Sequence, residues 1–150
     1  MAKKKWGDRP DGVWLRDLPA MNQLMTTLMP NRADNEAFVS VDIDLAPLEA
    51  YLEKKNVGLD KTHRYTFFHL ISAAIGKAFI LRPKMNRFIC NHRIYLRDKV
   101  TVAFTVKKHF DDHSEEGLAF FAYKPEDTID TYHEKIMKVI HTARHETDAS

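Results

Sequence analysis

The sequence predicts one α/β domain in which a mixed sheet is covered by packed helices. The chain has 150 residues, of which 44% are hydrophobic and 11% aromatic. That is enough to bury a core and too apolar for a disordered chain. Several segments alternate apolar and polar residues with a period of two, which indicates half-buried strands. Others repeat apolar residues every three to four positions, which indicates helices.

The first element is an extended arm over residues 1–17, because this stretch is rich in charge, glycine and proline. We expect Trp6 and Trp14 to anchor it. A helix follows in "LPAMNQLMTTLMP", where Pro19 suits a first turn and Pro30 ends the segment. Its methionine-rich stripe could face a membrane or a partner, and we assign it to the core of the protein.

The segment 37–44, "AFVSVDID", alternates cleanly between apolar and polar residues. It predicts a half-buried strand with Val39, Val41 and Ile43 on one face. A short helix follows over residues 45–56, and its basic end and a glycine mark the stop.

The most apolar helix is predicted over about residues 66–82, and Pro83 ends it. Apolar side chains run almost all round this helix. Its polar and small residues, His69, Ser72 and Gly76, form one narrow stripe. A helix that is apolar on most sides is expected to be covered on most sides.

The second half of the chain predicts four more strands and a last helix. The strands are expected at residues 87–90, 93–97, 100–106 and 118–123. Asn91-His92 joins the first two in a tight hairpin, because Asn tolerates positive φ. A charged loop over residues 107–117 separates the last two. An amphipathic helix then begins near Asp127 or Thr128 and runs to about residue 144.

Charge and composition exclude several classes of function. The chain carries 23 basic and 21 acidic residues, a balance that gives no attraction to nucleic acid or acidic membranes. One cysteine, Cys90, excludes an internal disulfide and fits a reducing compartment. The longest apolar run, residues 67–75, is shorter than the about 20 residues that span a bilayer. No secretory signal is visible. We therefore expect a cytoplasmic protein with no membrane contact.

The histidines raise two metal hypotheses. His133, His141 and His145 share roughly one helix face, but "HTARH" lacks the Glu of a zinc-protease helix. We prefer a solvated face. The loop "HFDDH", residues 109–113, could bind a metal weakly, and its charged surroundings favour an exposed connection. We assign no metal site.

Nucleophilic catalysis has two candidates, and neither is convincing. His69 and Ser72 lie three residues apart on one helix, but no oxyanion donors accompany them, so a buried, hydrogen-bonded histidine is preferred. Cys90 lies in a short predicted strand with no positioned base. The five glycines are scattered and form no phosphate-binding loop. We assign no catalytic residue from the residues themselves.

The order of these segments resembles the catalytic domain of 2-oxo acid dehydrogenase dihydrolipoyl acyltransferases, whose fold is shared with chloramphenicol acetyltransferase. The resemblance lies in "FVSVDIDLAPLEAYLEKKN", in the apolar helix that runs into "RPKMNRFI", and in the strands "VTVAFTV" and "GLAFFAY". It covers about residues 6–145. The arm "DGVWLRDL" is similar to that of short bacterial proteins related to these acyltransferases. The resemblance implies a chloramphenicol acetyltransferase-like fold and a CoA-dependent acyl transfer.

One departure limits what the resemblance implies. The family's catalytic His-x-x-x-Asp-Gly is matched by none of the eight histidines, and the family domain continues beyond the matched part. The chain is therefore expected to be the N-terminal half of the fold, an incomplete domain that is either a fragment or a degenerate short form, and to be inactive alone. In the family, the histidine removes a proton from a thiol or hydroxyl that attacks acyl-CoA.

The resemblance also implies half of a substrate channel and an oligomer. By position, the channel-lining residues would be Phe104, Thr105, Phe120 and Phe121, although all four could simply be inward strand residues. Acyl-CoA would be the substrate, no cofactor would be covalently bound, and the family's trimers imply a homo-oligomer. Two functions follow: an acyltransferase-like protein that lacks its catalytic histidine, or a non-catalytic assembly or protein-binding module.

Overall fold

The structure is a computed structural model that describes residues 4–29, 31, 33–107 and 116–145. Within these residues the helices are α1 (Ala20–Leu28), α2 (Ala46–Lys55), α3 (Phe67–Leu81) and α4 (Ile129–His145). The strands are β1 (Gly12–Trp14), β2 (Arg87–Cys90), β3 (Arg93–Arg97), β4 (Val100–Lys107) and β5 (Glu116–Tyr123). The predicted mixture of helices and strands is confirmed. The strands form two small antiparallel sheets, whereas the sequence predicted one mixed sheet.

The chain divides into two compact units. The first contains residues 1–43 and 81–99, and the second contains residues 44–80 and 100–150. Each unit holds one of the two sheets. Among the residues that the structure describes, none of the helices has the length and apolar character needed to cross a membrane.

The first unit contains the sheet β1-β3-β2. Trp14 and Phe88 both lie beside Tyr95 in the register of this sheet. Asn91 and His92 have φ values of 49° and 56°, which is the left-handed pair that a two-residue hairpin requires. The predicted hairpin is confirmed.

In the predicted arm, residues 12–14 form the strand β1, and turns interrupt the extended backbone before it. Trp14 is half-buried in the sheet and anchors the arm as expected. The expectation for Trp6 is wrong, because its side chain is 88% exposed.

The predicted core role of the stripe on α1 is wrong. Met21, Leu24 and Leu28 are all exposed. The helix is fixed instead by Thr26, which is buried and whose carbonyl oxygen accepts a hydrogen bond from Nδ1 of His92 (3.0 Å). Its hydroxyl shares its proton between the carbonyl oxygens of Gln23 (2.7 Å) and His92 (3.0 Å). A polar contact with the hairpin positions α1, and its apolar side faces outward.

The strand predicted at residues 37–44 does not form. The backbone is irregular from Glu36 to Leu45, and Val39 and Val41 are 83% and 72% exposed. A strand satisfies its N–H and C=O groups only by pairing with a neighbour. Within the described part of the chain, no strand pairs with this segment. The alternating pattern is present without a partner to stabilise it.

The second unit is built on the ribbon β4–β5. Residues on its inner face alternate with residues on its outer face, and Val100 pairs with Tyr123 on the inner face. The core beneath this face contains Val100, Tyr123, Tyr132 and Ile136. Tyr132 and Ile136 on α4 are fully buried. The N–H of Thr131 donates to the hydroxyl of Thr128, so Thr128 caps this helix, in agreement with one of the two predicted caps.

Helix α3 presents its small and polar stripe inward. His69 and Gly76 are buried, and a Cβ atom on Gly76 would lie 2.7 Å from the ring of Tyr123. The glycine therefore lets the helix approach that ring closely. The apolar residues Phe68 and Ile75 are about half exposed on the other side. The expectation that this helix is covered on most sides is wrong for the described chain.

Candidate functional site

The four residues predicted to line a channel lie on opposite faces of the β4–β5 ribbon. Phe104 pairs with Ala119 and Phe121 pairs with Val102, which places both phenylalanines on the inner face. Thr105 pairs with Leu118, and Phe120 pairs with Ala103, on the outer face. The structure therefore brings the four together in two pairs.

The inner pair is packed into the core of the second unit. The rings of Phe104 and Phe121 meet edge to face with centroids 6.5 Å apart. Phe121 also meets the ring of Tyr132 at 5.2 Å, and Phe104 meets Phe68 at 5.4 Å. Edge-to-face packing of this kind fills a core, so these two side chains contribute to stability in the described chain.

The outer pair lies on an exposed face. Phe120 is 65% exposed and its neighbour Leu118 is 70% exposed, and Thr105 is exposed as well. This face carries large apolar side chains in contact with solvent. A surface of this type is available for covering by another polypeptide.

The cluster richest in titratable groups lies between α3 and α4. The rings of His69 and His133 are 4.7 Å apart, and His133 stacks on Tyr65 at 4.1 Å. Both histidines are buried. The backbone N–H of Thr66 donates to Nδ1 of His69 (3.0 Å), so the proton of neutral His69 is on Nε2. The Nε2 atoms of both histidines lack hydrogen-bond partners among the described residues.

Burial keeps these histidines neutral. Desolvation lowers the pKa of His69 to about 4, and the neighbouring His133 acts in the same direction. Desolvation also lowers the pKa of His133. Two imidazoles that do not accept a proton near neutral pH are poorly suited to act as general bases there.

A charged chain of contacts borders the cluster. The hydroxyl of Tyr65 donates to Oδ1 of Asp130 (2.7 Å), and Nζ of Lys55 pairs with the same oxygen (2.6 Å). The hydrogen bond from Lys55 is the main reason that the pKa of Asp130 is lowered. Burial, followed by the bond to Asp130, raises the pKa of Tyr65 to about 12. These contacts link the end of α2 and the segment before α3 to α4.

The hypothesis of a nucleophile and base at Ser72 and His69 has no geometric support. The Ser72 hydroxyl donates to the backbone carbonyl oxygens of Phe68 and His69 and not to the imidazole. His69 is the buried, hydrogen-bonded histidine that was preferred, and that preference is confirmed.

Sequence reasoning missed the part played by His133. The solvated face proposed for the histidines of α4 is wrong for His133, which is buried, and correct for His141, which is exposed. The side chain of His145 lies outside the described residues. The signal was present in the sequence, because His133 lies four residues after Ile129 and three before Ile136 on the apolar stripe.

Neither the metal hypotheses nor Cys90 gains support from the described chain. Within it, no group of three or more His, Cys, Asp or Glu residues is arranged to hold a metal ion. The loop 109–113 lies outside the described residues. Cys90 is half-buried, and its sulfur accepts a hydrogen bond from Nη1 of Arg9 (3.3 Å), which is not a base.

Comparison with protein-family models, with curated proteins and with solved structures finds no match to this chain. The resemblance to dihydrolipoyl acyltransferases therefore stays a prediction from the sequence.

Proposed function

We propose that this chain is a scaffold part of a CoA-dependent acyltransferase of the 2-oxo acid dehydrogenase type and is not catalytic by itself. The observation that carries the proposal is the orientation of α3. Gly76 of its small and polar stripe packs inward on Tyr123, and the apolar residues Ile71 and Ile75 on another side are about half exposed. A complete domain would cover that side.

The energetic argument is one of uncovered apolar area. Fully burying a side chain such as Ile or Phe stabilises a protein by about 1.5–3 kcal/mol. Much of this stabilisation is not gained in the described chain, because apolar residues are exposed on α3 and on the outer face of the β4–β5 ribbon, where they include Leu118 and Phe120. Contact with the polypeptide that carries the catalytic motif would recover it. The same contact would place Thr105 and Phe120 in the channel that the resemblance implies.

The chemistry agrees with a non-catalytic chain. Acyl transfer from CoA needs a base with a pKa near neutral and access to the acceptor. His69 and His133 are buried and have lowered pKa values. The sequence holds no His-x-x-x-Asp-Gly. In this proposal, acyl-CoA is the ligand, no cofactor is covalently bound, and the protein acts in the cytoplasm.

A second candidate function is a non-catalytic assembly module. The same exposed apolar surfaces favour it, because a homo-oligomer, a trimer by the resemblance, would cover them without any CoA. This candidate needs no channel at all. The two candidates share the apolar surfaces and differ in whether acyl-CoA binds.

Calorimetry with acetyl-CoA separates the two candidates. We expect the chain to bind acetyl-CoA and to release no free CoA when an acceptor thiol is added. Phe120→Glu should weaken acetyl-CoA binding, because it removes an apolar contact and adds a negative charge. The control Lys124→Glu, in the turn after β5, changes charge alone and should weaken binding less. Absence of binding by the folded chain would leave the assembly module. Turnover by the chain alone would contradict both.

Light scattering tests the premise that both candidates share. The chain should associate with itself at micromolar concentration, because large apolar side chains are exposed on α1, α3 and β5. A chain that stays a monomer at high concentration would show that these surfaces need no cover.

A further inference from the structure

We propose that the first unit contains a binding site for a short-chain carboxylate beside Trp14 and Arg93. A cavity of about 50 Å³ opens there. Its lining includes Trp14, Leu18, Gln23, His92, Arg93 and Ile94. All of its lining residues belong to the first unit, whereas the proposed acyltransferase function rests on apolar residues of the second unit.

Arg93 supplies the positive charge of the site. Its guanidinium lies over the ring of Trp14 at 4.3 Å, and it is half-buried. Three other arginines of the first unit have carboxylate partners: Arg9 and Arg97 pair with Asp11, and Arg16 pairs with Asp8. Among the described residues Arg93 has no carboxylate partner. Arg82 and Arg87 of this unit have none among those residues either, but they do not line the cavity. A partly desolvated guanidinium without a counter-ion favours binding of an anion.

The neighbouring groups hold the site in place. The imidazole Nδ1 of His92 donates to the backbone oxygen of Thr26 (3.0 Å), and the Thr26 hydroxyl donates to the backbone oxygen of His92 (3.0 Å). The side-chain amide of Gln23 donates to the backbone oxygen of Leu18 (3.0 Å). These bonds fix α1, the segment before it and the hairpin around the cavity. A site of this kind requires little reorganisation when a ligand binds.

The size and lining of the cavity indicate the class of ligand. A space of roughly 10–15 Å³ holds one water molecule, so this cavity has room for a group of three or four heavy atoms. A carboxylate matches the planar fork of a guanidinium through two parallel hydrogen bonds. Leu18 and Ile94 of the lining offer apolar contact to a short alkyl tail. The lining that the structure describes contains no acidic side chain. Acetate has the required size, charge and tail.

Tryptophan fluorescence gives a direct readout. Trp6 is exposed, so a Trp6→Phe background leaves Trp14 as the single reporter. We titrate sodium acetate against sodium chloride at equal ionic strength. The expected result is a saturable change in Trp14 emission with acetate only. The same change with chloride would overturn the proposal, since it would report screening of charge. Tighter binding of phosphate than of acetate would overturn the choice of ligand class.

Variants test whether Arg93 is the binding group. Arg93→Gln should weaken acetate binding about tenfold or more, because the charge-assisted pair is lost. The control is Arg97→Gln, which removes the same charge from the same strand outside the cavity and should leave affinity within about twofold. Unchanged affinity in Arg93→Gln contradicts the proposal.

A further variant keeps the test valid if Arg93→Gln fails to fold. Arg93→Lys keeps the positive charge beside Trp14 and removes the planar fork that pairs with a carboxylate through two hydrogen bonds. We expect acetate binding to be clearly weaker while circular dichroism stays unchanged. Undiminished binding in this variant would overturn the proposal.

Discussion

Two segments of the molecule carry the same alternation of apolar and polar residues, but only one of them forms a strand. The strand β4 pairs along its whole length with β5 and buries Val100 and Val106. The segment 37–44 pairs with nothing in the described chain, and its valines are exposed. An alternating pattern makes a segment suitable for a sheet. The segment becomes a strand only when it pairs with a neighbouring strand and its apolar face is covered.

The largest expected effect is in the core beneath β4. Ile136→Ala should lower the free energy of unfolding by about 2–5 kcal/mol, because a fully buried side chain leaves a cavity. The control is Val41→Ala in the segment 37–44, which should change it by less than about 0.5 kcal/mol. Urea unfolding followed by circular dichroism measures both. Equal losses in the two variants would mean that Val41 is buried in solution.

Acid should weaken the second unit through its two buried histidines, His69 and His133. The folded-state pKa of His69 is lowered to about 4, whereas the unfolded chain binds that proton near pH 6.5. The unfolded state therefore binds more protons below pH 6.5, and stability falls from there to about pH 4. This difference between the folded and unfolded pKa values corresponds to a loss of up to about 3 kcal/mol in the free energy of unfolding. The lowered pKa of His133 adds to the loss.

The pH effect can be assigned with two variants. His69→Gln should flatten the decline between pH 6.5 and 4, and His141→Gln, at an exposed position of α4, should leave it in place. The groups around the pair are Tyr65, Asp130 and Lys55, and the lowered pKa of Asp130 acts only below about pH 4. A decline confined to that lower range would show that the histidines are not buried as described.

Gly76 gives an effect of intermediate size. A Cβ atom there would lie 2.7 Å from the buried ring of Tyr123, so Gly76→Ala must displace the ring or the helix. Overpacking costs about 1–3 kcal/mol, and the better helix propensity of Ala returns up to about 1 kcal/mol. We expect a net loss of roughly 1–2 kcal/mol in thermal or urea unfolding. Gly117→Ala, with its nearest atom at 3.9 Å, should be neutral. A stabilised Gly76→Ala would contradict the close approach.

Local patterns predicted much of the fold. Helices α3 and α4, the Asn91-His92 hairpin and the ribbon β4–β5 were expected close to where they occur. The paired strands are neighbours in the sequence, and a terminating signal such as Pro83 marks the end of a helix. The prediction of a strand at 37–44 was wrong because no strand of the described chain pairs with this segment. The alternating pattern alone does not show whether a partner exists.

Side-chain exposure was harder to predict than the elements. The large apolar residues of α3 suggested a buried helix, but Gly76 decides which side packs, because the absence of a side chain allows close approach to Tyr123. The same error placed the stripe of α1 in the core. His133 was assigned to solvent on account of its type, although its position on the stripe of α4 buries it. The carboxylate site depends on distant residues that meet only in the fold.

The smallest effect on stability should come from the segment 37–44, where the effect on association should be measurable. Val41→Lys changes an exposed side chain, so the free energy of unfolding should stay within about 0.5 kcal/mol. A charge on an unpaired, strand-like segment also opposes pairing with another chain. Light scattering should therefore show weaker self-association than in the control Ser40→Lys, on the opposite face of the alternation. Equal association in both variants would mean that apolar surfaces elsewhere, on α3 or β5, make the contacts.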